Sequence, residues 1–173
     1  MAPSVLFSQI SIQRVLVENQ VNPEGIGSLA PRFSWKLASI QRNVTQKAYS
    51  IQVKEGSQIV WNSGKVSSNQ SIFVPYAGAT LKSNQAYQVA VQVWDQSGKA
   101  SVVFKSTFAT AFLNSSDWKA KWISSGIAAD TVDGRIPLFK KSFVASKKVK
   151  QARLFITARG LYEASINGKR IGD

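Results

Sequence analysis

From Leu81 to Asp95 the chain reads Leu-Lys-Ser-Asn-Gln-Ala-Tyr-Gln-Val-Ala-Val-Gln-Val-Trp-Asp, and this two-residue period is its most constraining feature. In extended backbone Tyr87, Val89, Val91 and Val93 fall on one face, and Gln88, Ala90, Gln92 and Trp94 on the other. On a helix the same apolar residues would scatter around the axis, so Ala86 to Asp95 specifies a half-buried strand. Similar runs recur at Ser11 to Glu18, Arg32 to Leu37, Ala48 to Lys54, Gln58 to Trp61, Gln70 to Pro75 and Ser101 to Thr110. Turn residues separate them and no stretch keeps a helical period. Seven short strands within ~100 residues predict an all-β fold, a β-sandwich of the immunoglobulin or fibronectin type III kind.

Leu81, six residues before Tyr87, fits a tyrosine corner, in which the phenol packs inward and its hydroxyl bonds to backbone upstream. Trp35, in Arg-Phe-Ser-Trp, is expected to be a core indole of an early strand rather than a sugar platform, since buried aromatics dominate small sandwich cores. Asp95-Gln-Ser-Gly98 reads as the turn into the last strand.

Three regions follow from the pattern: a sandwich over residues 1–112, a linker over 113–137 rich in Ser, Ala, Gly and Asp, and a second alternating region over 138–173. The linker carries Asp117-Trp-Lys-Ala-Lys-Trp-Ile, which in extended form sets Trp118 and Trp122 on one face. Two readings apply, a carbohydrate-stacking platform and filler between domains. In the last region, strands are expected at Leu138 to Val144, Gln151 to Thr157 and Leu161 to Ile166, followed by Asn167-Gly168, a strong type I′ hairpin signal. Three strands and the start of a fourth cannot close a sandwich, so these read as the first strands of a second β-sandwich. Its unpaired edges are expected to seek a second copy, as a homodimer or by strand swapping, or to be cleaved first by protease.

The sequence contains no Cys and no His, which removes disulfides, thiolate and imidazole metal sites, and every triad that uses an imidazole base. No cofactor or metal site is expected. Asp130 and Asp133 form the one close carboxylate pair, without the further ligands of a calcium loop, and Asp-Gly is ordinary turn chemistry. No apolar run is long enough for a membrane-spanning helix. The net charge of +13 suggests a polyanion, and Lys147, Lys148 and Lys150 form the densest cluster. A solvated basic face is the simpler reading, and no zinc, glycine-clamp or RNA-binding signature accompanies the lysines, so no specific nucleic-acid partner is expected.

Several segments together resemble the amino-terminal part of bacterial α-L-rhamnosidases of the inverting glycoside hydrolase type. They are Asn22-Pro-Glu-Gly-Ile26, Pro31-Arg-Phe-Ser-Trp35, Gln46-Lys-Ala-Tyr49, Trp61-Asn-Ser-Gly64, Val74-Pro-Tyr76, Leu81 to Asp95, Asp117 to Ile123, Gly160 to Glu163 and Ile166 to Asp173. The resemblance implies a fibronectin-like module, then a β-sandwich, with the catalytic acids on a later (α/α)-barrel that these residues do not include. In that family one carboxylic acid protonates the glycosidic oxygen and a carboxylate activates water on the opposite face; neither maps to a position here. The expected function is a non-catalytic accessory region of an enzyme releasing terminal α-L-rhamnose from glycans or glycosides. The alternative is a free-standing carbohydrate-binding module, with Trp118, Trp122 and Tyr162 as stacking candidates and an acidic, rhamnose-containing polysaccharide as ligand. The resemblance favours a periplasmic or secreted location.

Overall fold

The computed structural model describes residues 10–126, 136–149 and 152–172. Seven strands build its first part: β1 (Ser11–Val17), β2 (Arg32–Ala38), β3 (Gln46–Glu55), β4 (Gln58–Asn62), β5 (Val74–Pro75), β6 (Ala86–Asp95) and β7 (Phe104–Ala109). They form two antiparallel sheets, ordered β1-β2-β5 and β4-β3-β6-β7. The alternation of β6 is realised in register with β3: Val89 lies opposite Val53, Val91 opposite Ile51 and Val93 opposite Tyr49. All six are buried.

Burial of about 1.5–3 kcal/mol per large apolar side chain drives the two sheets together. Val15, Val17, Phe33 and Trp35 enter the core from the smaller sheet, and Ile51, Val53, Val89, Val91, Val93 and Phe108 from the larger. Phe33 joins the layers, stacking on Trp61 at 5.9 Å and meeting Phe108 edge-on at 6.0 Å. Trp35 is a core indole: it packs on Tyr49 at 5.2 Å, and its Nε1 donates to Gln46 Oε1 at 2.8 Å. The Gln46 amide in turn donates to the Ser68 and Gln70 carbonyls, so the buried polar group is satisfied by the β4–β5 loop.

β5 is shorter than the alternating run from Gln70 predicts. Phe73 adopts φ 53°, a left-handed conformation a strand cannot hold. Its amide donates to the Ser34 hydroxyl at 3.0 Å instead of to a backbone carbonyl, and regular pairing resumes only at Val74. At the other end of the same strand Tyr76 donates its hydroxyl to the Ala79 carbonyl at 2.7 Å, while its ring meets Trp61 edge-on at 5.2 Å. Gly78 closes this corner, where a Cβ would stand 2.5 Å from the Tyr76 oxygen.

The entry and exit of the sandwich are tied to each other. Between β1 and β2 the chain passes beside the end of β7: the Ala109 amide donates to the Pro23 carbonyl, the Ile26 amide to Ala109, and the Ala111 amide to Ile26, each at 2.8 Å. Asn22 accepts from the Ser106 hydroxyl at 2.7 Å and from the Thr107 amide at 3.1 Å.

The chain divides into a unit spanning Met1–Lys121 and a second spanning Trp122–Asp173. Among the described residues of the second unit, regular structure is confined to a hairpin of β8 (Ala164–Ile166) and β9 (Lys169–Ile171). Its turn is the one Asn-Gly predicts, with Asn167 at φ 52° and Gly168 at φ 77°. Leu138 to Val144 and the described part of Gln151 to Thr157, expected as strands, form no ladder, because an apolar run becomes sheet only beside a strand that bonds it. Leu138, Phe143, Val144 and Leu161 are consequently exposed.

Candidate functional site

The end of the sandwich where β7 leaves carries a polar network. The turn from Leu81 to Gln85 precedes β6, with Asn84 at φ 51°. Tyr87, the second residue of β6, is buried against Phe108, stacked at 5.2 Å, and its hydroxyl accepts from the Lys82 amide at 2.8 Å. This is the tyrosine corner the sequence predicts. Burial pushes the phenol of Tyr87 above its ordinary range.

The residues after β7 are fastened to that turn. Thr110, fully buried, donates its hydroxyl to the Lys82 carbonyl at 2.6 Å and accepts from the Gln85 amide at 3.0 Å. The Asn84 amide donates to the Ala111 carbonyl, and the Ser83 hydroxyl accepts from the Leu113 amide at 2.8 Å. Ser83 donates to the Asp117 carboxylate, which also accepts from the Asn114 amide at 3.1 Å. Asp117 ends a 3-10 turn, Ser115–Asp117. The Ser83 hydrogen bond, followed by those from Asn114 and by Lys119, holds the Asp117 carboxyl below its usual range. The strand exit is thus clasped through residue 117.

Trp118 follows the clasp. It lies edge-on to Phe112 at 5.2 Å and is 40% exposed, so one side of the indole packs and the other faces solvent. Trp122 belongs to the second unit, 63% exposed, with the Arg159 guanidinium 5.2 Å above its ring. Tyr162, also in the second unit, is 54% exposed. Sequence reasoning singled out these three aromatics but missed the Ser83, Thr110 and Asp117 clasp. Its members lie about thirty residues apart in the chain, and single serines and threonines carry no spacing signal.

Glu18, Glu55, Asp95, Asp117 and Glu163 are engaged structurally. Glu18 makes a paired contact with Arg32, at 2.6 Å for its closest atoms, and the guanidinium hydrogen bond holds the acid below its ordinary value. Glu55 contacts Lys82 at 2.8 Å, Glu163 lies 3.8 Å from Arg170, and Asp95 accepts from the Ser97 and Lys99 amides of its own turn. The Asp130 and Asp133 pair lies outside the described residues. Among the described residues no group of three acids could hold a metal ion, and no helix is long and apolar enough to cross a membrane.

Two sheets of three and four strands, closed by a tyrosine corner and a core tryptophan, define an immunoglobulin-like β-sandwich module. Residues 12–114 match the Rha78A-like, N-terminal immunoglobulin domain, and the chain belongs to that family. Residues 147–173 match the α-L-rhamnosidase N-terminal domain. An α-L-rhamnosidase of Formosa agariphila is 36% identical over 88% of this chain and 18% of its own length. One of Streptomyces avermitilis is 30% identical over 95% of this chain and 18% of its own. The crystal structure of the Streptomyces avermitilis α-L-rhamnosidase complexed with L-rhamnose superposes on 66% of this chain and 12% of that chain, with a TM-score of 0.64 and 38% identity. The α-L-rhamnosidase from Dictyoglumus thermophilum matches over 66% and 14%, with a TM-score of 0.61 and 33% identity. The chain spans about a fifth of the length of the curated relatives it matches.

Proposed function

We propose that these residues form a non-catalytic accessory region that orients a catalytic domain releasing terminal α-L-rhamnose from glycans or glycosides. The carrying observation is the order of the matches: residues 12–114, a finished sandwich, match the Rha78A-like, N-terminal immunoglobulin domain, and residues 147–173 match the α-L-rhamnosidase N-terminal domain. Because Glu18, Glu55, Asp95 and Asp117 serve turns and ion pairs, the two acids required for glycoside hydrolysis are expected elsewhere in the enzyme. The test is rhamnose release from an aryl α-L-rhamnoside by the 173-residue chain. No turnover above the buffer rate is expected, and sustained release would overturn the reading.

The exposure of Trp118, Trp122 and Tyr162 favours a second reading, in which they stack on carbohydrate. Calorimetry against rhamnogalacturonan, with Trp118→Ala and Trp122→Ala beside the parent, separates the two. Heat lost in the variants supports stacking, and identical isotherms remove these indoles from consideration.

A further inference from the structure

The turn between β8 and β9, Asn167-Gly168, carries chemistry that the fold does not use. Of the eight asparagines in the sequence, Asn167 alone is followed by glycine. The carboxamide of an asparagine can be attacked by the backbone nitrogen of the next residue, and glycine, with no Cβ, hinders that approach least. Other asparagines are placed differently. Asn22 precedes Pro23, which has no amide hydrogen to lose, and its Oδ1 accepts from Ser106 and Thr107. Asn62 Oδ1 accepts from the Gly64 amide at 3.0 Å, and Asn114 is bonded to Asp117.

The surroundings of Asn167 favour the same attack. Asn167 and Gly168 are exposed, and nothing stands within 4 Å of where a Gly168 Cβ would be. Their hairpin has three residue pairs, Ala164 with Ile171, Ser165 with Arg170 and Ile166 with Lys169, and is a two-stranded sheet of its own. Such a hairpin is marginally stable in water, so it opens and closes readily. Opening lets the Gly168 nitrogen come within the ~3–3.5 Å of the Asn167 Cγ that reaction needs. We infer that Asn167 is a self-modification site, at which the turn converts to aspartate and isoaspartate with water as co-reactant. The Gly168 nitrogen loses its proton and bonds to Cγ, the bond from Cγ to Nδ2 breaks, and Nδ2 leaves with that proton as ammonia. The product is a five-membered succinimide. Water then cleaves one of its two ring C–N bonds. Cleavage at Cγ leaves aspartate, and cleavage at the backbone carbonyl carbon leaves isoaspartate, whose main chain runs through Cγ and is one carbon longer. Either product sets a carboxylate next to Lys169, and the longer main chain disturbs the turn that pairs Ile166 with Lys169. This inference goes beyond the accessory role and does not rest on it, since covalent change and rhamnose release are read by separate assays.

The test is incubation of the 173-residue chain in mildly alkaline buffer, followed by digestion, mass spectrometry of the peptide holding Asn167, and labelling with an isoaspartyl methyltransferase. Acid is expected at Asn167 before the other seven asparagines, with isoaspartate among the products and a rate that rises in proportion to hydroxide. A synthetic peptide of residues 163–172 gives the unfolded rate, and the chain is expected to react within about tenfold of it, as a hairpin of marginal stability allows. Gly168→Ala is expected to react at least several-fold more slowly. Alanine is strained at a φ of 77° and loosens the hairpin, which alone would speed the reaction, so a slower variant reports hindrance at the attacking nitrogen. Acid appearing first at another asparagine, acid without isoaspartate, a rate more than about tenfold below that of the peptide, or a Gly168→Ala variant as fast as the parent would each overturn the inference.

Discussion

Replacing Tyr87 by Phe removes one oxygen and leaves the ring, which isolates what the tyrosine corner contributes. The ring stays stacked on Phe108, so the apolar burial of the side chain is retained. What goes is the acceptor for the Lys82 amide, which donates to the hydroxyl at 2.8 Å in a partly buried turn. A buried backbone donor without a partner costs about 1–3 kcal/mol. For a domain of this size each kcal/mol is worth roughly 4 °C, so Tyr87→Phe is expected to melt roughly 4–12 °C lower by scanning calorimetry. In urea the midpoint should fall with an unchanged slope, because the surface exposed on unfolding is the same. A melting temperature within a degree of the parent would refute the reasoning, since it would mean that water satisfies the Lys82 amide at no cost.

Gly78→Ala places a methyl group against Trp61 and the Tyr76 hydroxyl, and overpacking of this kind is expected to cost about 1–3 kcal/mol, measured as a lower urea midpoint. The carboxyls of Glu18 and Asp117 lie below their ordinary range in the folded chain, so their stabilisation is complete above the unfolded pKa of about 4 and disappears as pH falls through the lower folded values. Urea midpoints should therefore drop between about pH 5 and pH 2, and Glu18→Gln should be less stable at neutral pH with a shallower acid loss. The phenols of Tyr76 and Tyr87 are raised by burial, so the opposite sign applies: their contribution is complete below pH ~10 and is lost above it, visible as a cooperative step in ultraviolet titration. The exposed apolar residues of the second unit are expected to make that unit the first site of proteolysis or to drive self-association, read by limited digestion and sedimentation.

Strands whose period two coincides with a buried face were fully legible. β6 occupies Ala86 to Asp95, the span its alternation predicts, because each inward residue pairs with an inward residue of β3. The Gln70 to Pro75 run was over-read: alternation cannot reveal that Phe73 turns left-handed when a serine hydroxyl on the neighbouring strand accepts its amide. The clasp was invisible for a related reason, since Ser83, Thr110 and Asp117 act through partners brought close only by the finished sheets. In the second unit strands were expected at Leu138 to Val144, Gln151 to Thr157 and Leu161 to Ile166, yet among the described residues only the segment carrying the Asn-Gly turn forms a hairpin, Ala164–Ile166 with Lys169–Ile171. The two indoles expected on one face fall in different units, so each has its own surroundings, Phe112 for Trp118 and Arg159 for Trp122.

The stitching of Pro23 and Ile26 to Ala109 and Ala111 has a consequence for biosynthesis. A nascent chain emerging from the ribosome cannot finish the loop between its first two strands until some eighty further residues have been made, because the partners of that loop are the last to appear. Closure therefore waits for the exit of β7, and a half-made polypeptide keeps Asn22 to Ile26 loose and open to chaperones. Moving the first strands to follow the last, by circular permutation, should shorten that wait and speed refolding while leaving the finished sandwich unaltered.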